Sequence, residues 1–216
     1  MTETPDLVTA VAPIREELLA RHDARETAFA ASRDAIRASA NAIRAVHRGE
    51  DALVATLLVQ ARQALEVASA AADGHPEVRH AGFLADAAKE LAEAELTRAA
   101  VAGEALPDPT ALGIDALSWL HGLAETVGEL RRASLDRVRG GDLDRAESYL
   151  ALMQEILSAL ATIDVPDGLS RGLRRATDAA RAITERTRGD LTTAVGQREL
   201  RRALDAHREA LERARS

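Results

Sequence analysis

Apolar residues recur along this chain at intervals of three and four, and no stretch shows the strict alternation of a half-buried strand. Strong helix formers fill the positions between them, so the pattern predicts an all-α fold. A first helix runs to about His47, with Pro13 tolerated near its start and Ile14, Leu18, Phe29, Ile36 and Ile43 as its apolar stripe. The seven-residue step from Phe29 to Ile36 to Ile43 suits a long bundle helix. Gly49 and Asp51 mark a stop and a new cap. A second helix covers about Asp51 to Ala72, burying Leu53, Leu57, Ala61, Ala64, Leu65 and Ala68.

The turn Asp73-Gly74-His75-Pro76 leads into a third helix, about Pro76 to Ala102. Gly103 and Pro107-Asp108-Pro109 break it, and a short turn follows around Thr110 to Leu112. A fourth helix starts near Ile114 and ends before Gly140-Gly141, with Leu117, Leu120, Ala124, Val127 and Leu130 facing inward. Asp142 caps a fifth helix that runs to about Thr162. A sixth covers about Asp167 to Arg188, with Gly189-Asp190 as a stop. No internal repeat or flexible linker interrupts the order. The expectation is a single-domain antiparallel bundle of about six to seven helices over residues 1–190. A charged helical extension, 191–216, follows.

Composition narrows the function classes. Hydrophobic residues make up 46% and charged residues 29%, a globular rather than a disordered profile. No apolar run approaches the roughly 18 residues of a membrane span. Met1 to Leu7 lacks the basic and apolar regions of a signal peptide, and the chain has no cysteine. A cytoplasmic location is expected. The net charge of −7 argues against coating nucleic acid over the whole surface, though not against a local basic patch. Phe29, Phe83, Trp119 and Tyr149 are too scattered to form a base-stacking platform within one chain.

Candidate chemistry lies mainly in carboxylates. Glu90 and Glu93 sit about 60° apart on one face of the third helix. Glu125 and Glu129 form a second pair on the fourth, and a short connection predicts that the two helices pack antiparallel. Two unit charges about 4 Å apart repel by about 4 kcal/mol at an effective dielectric of 20. Convergent carboxylates therefore call for a cation such as Mg²⁺, whose ligands are oxygens. The alternative is four solvated glutamates. His121 is placed wrongly for the Glu-x-x-His motif of di-iron bundles. Walker-type loops and nucleophile elbows are absent from the sequence. Arg171, Arg174, Arg175 and Arg181 share much of one face of the sixth helix and suit phosphate contacts, or pairing with Asp178 and Glu185.

In its order of segments the chain resembles the translin family, the trax branch in particular, from about Ile14 to Gly189. The resemblance rests on Glu17-Leu18-Leu19-Ala20-Arg21-His22-Asp23, Ser32-Arg33-Asp34-Ala35-Ile36 and His47-Arg48 in the first helix. It continues through Leu112-Gly113-Ile114, Gly122-Leu123-Ala124-Glu125-Thr126-Val127-Gly128-Glu129-Leu130, Gly141-Asp142 and Arg188-Gly189. It implies an all-helical subunit of a hollow octameric shell, here a homo-oligomer, that binds single-stranded RNA and DNA. It also implies a Mg²⁺-dependent endoribonuclease site facing the interior. The trax acidic motif is Glu-x-x-Glu on one helix and an Asp on the next. Glu90 and Glu93 match the pair, position 125 holds Glu in place of that Asp, and Glu129 matches a further family acid. The basic stretch used by translin for nucleic acid is reduced here to Arg79 and His80. A translin-like oligomer that binds without cutting is the other reading the resemblance leaves open.

Overall fold

A computed structural model describes residues 6–215 of the chain; Met1 to Pro5, part of the stretch read above for a signal peptide, and Ser216 lie outside them. Among the described residues there are nine helices and no strand: α1 (Leu7–Arg48), α2 (Asp51–Ala71), α3 (Pro76–Arg79), α4 (Gly82–Ala102), α5 (Pro109–Leu112), α6 (Ala116–Gly140), α7 (Leu143–Ala161), α8 (Asp167–Ser170) and α9 (Leu173–Arg215). No described helix is long and apolar enough to cross a membrane. The chain divides into two compact units. One reaches to Arg98 and includes Pro107–Gly122; the other comprises Ala99–Leu106 and Leu123 onward.

The first unit is built on the α1/α2 hairpin. Gly49 ends α1 at φ +71°, the left-handed conformation glycine adopts without steric cost, and its N–H bonds back to the helix. Arg48 then donates to the Glu50 carboxylate at 2.5 Å and holds that carboxyl below its ordinary range. The buried row of α1 is Ala28, Ser32, Ala35, Ser39, Ala42 and Val46. Alternating steps of four and three make this a heptad row, and its small side chains let two helices approach closely. The facing row of α2 holds Val54, Leu58, Ala61 and Ala68. Ala61 and Ala68 of the predicted face are buried, but its start is rotated: Leu53 is 42% exposed, and Val54 and Leu58 take the core positions there. One residue is about 100° of helix, and the run Leu53-Val54…Leu57-Leu58 is apolar at both phases.

Ala28, Ala68, Ala72, Val78 and Leu84 form one cluster, with Phe29 meeting Phe83 edge to face at 5.4 Å beside it. Here α1 outruns its partner. No residue from Leu7 to Thr27 is buried, and Ile14 and Leu18, expected in the core, are 55% and 54% exposed. The expected third helix is also two. His80 and Ala81 break it, separating the one-turn α3 from α4.

The second unit pairs α7 with α9. Leu143, Ala146, Tyr149, Met153, Ile156 and Leu160 are buried on α7. Leu173, Thr177, Ala180, Thr184, Thr187 and Leu191 form the buried row of α9. Its threonines satisfy their hydroxyls within the helix: Thr177 Oγ1 donates to the Leu173 carbonyl at 2.9 Å and Thr184 Oγ1 to that of Ala180 at 2.8 Å. Asp142 caps α7 as expected, accepting from the Arg145 N–H at 3.1 Å.

Two boundaries differ from the sequence expectation. Arg171 and Gly172 adopt φ +49° and +84°, which splits α8 from α9. Gly189-Asp190 does not stop α9, which continues to Arg215. Arg131 of α6 explains the continuity: it donates to Thr187 Oγ1 at 3.0 Å and pairs with Asp190 at 2.8 Å, clamping both sides of Gly189. Leu191 is buried just beyond.

Candidate metal centre and its surroundings

Helix α4 begins as a polar–apolar mixture and becomes almost wholly buried from Leu91 to Thr97, with Glu93 the partly buried exception. Glu90 and Glu93 flank the start of this run on one face, both half-buried, and a carboxylate oxygen of each lies within 4.8 Å of the other. Lys89 Nζ stands 3.2 Å from the Glu90 carboxylate.

The first turns of α6 pack directly on this part of α4. Ser118 Oγ donates to the Ala85 carbonyl at 3.2 Å. A Cβ at Gly122 would fall 2.6 Å from Ala92 Cβ, 2.8 Å from the Lys89 carbonyl oxygen and 2.9 Å from the Glu93 nitrogen. Only glycine permits this approach. Residue numbers rise together on the two helices, Ser118 with Ala85 and Gly122 with Lys89 to Glu93, so the segments run parallel. The expected antiparallel pairing is overturned. Residues 103–115, containing α5, are long enough to carry the chain back along α4, at up to about 3.3 Å per residue. Trp119 anchors this return by donating from Nε1 to the Pro107 carbonyl at 2.9 Å.

Glu125 lies on the turn of α6 after Gly122, in the second unit, and is exposed. Both donors of the Glu90/Glu93 pair are carboxylate oxygens, the hard donor type that Mg²⁺ takes. Glu129 is one turn further and pairs with Arg132 at 4.0 Å.

The sequence reading passed over Glu95. Its side chain is 2% exposed, ion-paired with Arg62 of α2 and 3.9 Å from Arg98. A carboxylate between Ala94 and Leu96 in an otherwise apolar run was the available signal. Glu95 points about 140° away from Glu90, so one side of α4 is tied to α2 while the other presents the acidic pair.

The proposed nucleic-acid residues occupy separate local settings. Arg79 ends α3 in an ion pair with Asp73, and His80 is the exposed residue after it. Arg171 sits in the turn before α9 rather than on the helix, and Arg174 and Arg175 are exposed in its first turn. Arg181 pairs with Asp178 at 2.8 Å and Arg188 with Glu185 at 3.2 Å, which is the pairing alternative raised for that helix.

This all-helical architecture is shared with C3PO structures, complexes of translin and trax. The chain superposes on AfC3PO in its complex with duplex RNA at a TM-score of 0.81, with 32% identity over 88% of this chain and 98% of the other. A second AfC3PO structure gives 0.79 at 31% identity, again over 88% and 98%. Apo-NeC3PO shares the fold at 0.78 with 16% identity, over 90% and 100%. This chain belongs to the translin family. An uncharacterised protein of Methanocaldococcus jannaschii is 33% identical over 78 residues, 36% of this chain. That match spans about a third of the relative's length, 35%. No protein-family profile matches the chain.

Proposed function

We propose that this protein is a Mg²⁺-dependent endoribonuclease of trax type, working as a homo-oligomer on single-stranded or loosely paired RNA. The observation that carries the reading is the Glu90/Glu93 pair: two half-buried carboxylates with oxygens within 4.8 Å, at the point where α6 touches the α4 backbone. Half-buried like charges at that spacing repel and favour a cation between them. Glu90, Glu93 and Glu125 would hold it, with Glu129 as a supporting acid. A divalent cation bound there supplies a lowered pKa for water and charge stabilisation at a phosphate. The chain's own part is to hold the Glu90 and Glu93 oxygens in register. Ser118 and Gly122 fix α6 on α4, and the Glu95–Arg62 pair fixes the roll of α4.

RNA as the substrate class is supported by the relative solved with duplex RNA. Arg79, His80, Arg171, Arg174 and Arg175 are the proposed phosphate contacts, with single-stranded DNA as a further ligand. An octamer is proposed from the family. The core is rich in alanine, which supplies little apolar area per residue and favours further burial between subunits.

One observation favours the binding-only reading. Lys89 already meets Glu90 at 3.2 Å, a built-in cation that lessens the need for a metal. A labelled single-stranded RNA incubated with Mg²⁺ or with EDTA separates the two. Glu93→Ala is expected to lower Mg²⁺-dependent cleavage at least about a hundredfold, beyond the 10–100-fold loss typical of residues that only orient a ligand. Full cleavage by that variant would overturn the nuclease assignment. Intact RNA retained by the wild-type protein in Mg²⁺ would establish the binding-only reading.

A further inference from the structure

Two helix ends present uncovered apolar rows. On α1, Leu7, Val11, Ile14 and Leu18 continue the heptad row of the α1/α2 hairpin past the end of α2, and they are 79%, 54%, 55% and 54% exposed. On α9, Leu200, Leu204 and Leu211 are 62%, 59% and 47% exposed and share one face with His207. This second row lies about 180° around α9 from Leu191, where the buried row ends. It is therefore a new face and not a remainder of the α7/α9 interface.

The two rows differ in charge. Residues 6–20 carry Arg15 against Asp6, Glu16 and Glu17, a net of −2. Residues 198–215 carry six arginines against four acids, a net of +2. Arg201, Arg208 and Arg215 recur every seven residues along one border of the leucine row, with Arg208 also 3.5 Å from Asp205. Ala203 and Ala210 line the other border and allow close approach.

We propose that the first turns of α1 in one copy of this chain pack against the last turns of α9 in another copy. Pairing either row with itself brings like net charges together, whereas pairing α1 with α9 joins opposite ones. Each copy offers both faces, so the contact is met either reciprocally in a two-fold dimer or head to tail, in which case successive copies close into a ring or extend. The contact is independent of the cation site and stands or falls apart from the nuclease assignment.

The chain has no cysteine, which permits a clean cross-linking test. Leu18→Cys and Leu204→Cys are made in separate preparations of the full chain and oxidised alone and as a mixture. Both positions are more than half exposed, so wild-type circular dichroism is expected of each. The mixed disulfide should form about tenfold or more faster than either self-disulfide, because a docked pair raises the effective thiol concentration to the millimolar range. Self-disulfides at an equal or higher rate, or no cross-link in the mixture, would overturn the proposal.

Discussion

Gly122 is the residue on which the α4–α6 approach depends. Its φ is unremarkable, and the constraint is the contact itself, since an added Cβ would meet backbone atoms of Lys89 and Glu93 inside 3.0 Å. Overpacking of this kind costs about 1–3 kcal/mol. Gly122→Ala should lower the melting temperature accordingly, and it should reduce cation-dependent cleavage more than RNA retention. Differential scanning calorimetry beside the cleavage assay measures both. Glu95 makes a second prediction at this scale. Arg62→Ala removes the principal partner of a buried carboxylate while Arg98 stays nearby, and Arg62 is itself 47% exposed. Its loss should cost about 1–3 kcal/mol, less than for a fully desolvated pair. Urea titration of the variant reads this, and an unchanged midpoint would show that the pair is not a stabilising contact.

Helix ends tell a different story from helix interiors. Asp and Gly signals located several boundaries, Gly49 after α1 and Asp142 before α7 among them. The failures came where tertiary contacts outweighed a local breaker. Glycine in a helix interior costs about 1 kcal/mol relative to alanine, and at Gly189 the Arg131 contacts to Thr187 and Asp190 offset it. An added Cβ there would have nothing within 4 Å, and the residue is exposed. Gly189→Ala should therefore stabilise the protein by up to about 1 kcal/mol. A lowered melting temperature would show that the glycine serves a purpose beyond helix continuity. The sequence placed a stop at Gly189 because composition carries no record of a salt bridge from a helix some sixty residues earlier.

For the molecule as a whole, the net charge of −7 means that the proposed RNA retention would depend on local basic groups. If the proposed arginines contact phosphates, log-affinity should fall linearly with log-salt, with a slope of about 0.7 per phosphate contact on a single strand. Arg174→Ala combined with Arg175→Ala should flatten that slope by roughly 1–2 units. Filter binding from low to moderate salt measures it, and an unchanged slope would remove these residues from the interface.

The hydrophobic period by itself determined the all-α class, because three-and-four spacing persists along the whole chain and is independent of how helices meet. Capping residues determined most helix ends, because a cap acts within one turn. The motif Glu90-x-x-Glu93 was legible for the same reason: helical spacing alone puts both side chains on one face. The tertiary structure decided the rest. It set the phase of α2, where two adjacent apolar rows competed and packing against small α1 residues selected Val54 and Leu58. It made α4 and α6 parallel, because a thirteen-residue connection allows either direction and the Gly122 contact selects one. It also revealed the buried Glu95, whose meaning depends on Arg62, thirty-three residues away in the chain.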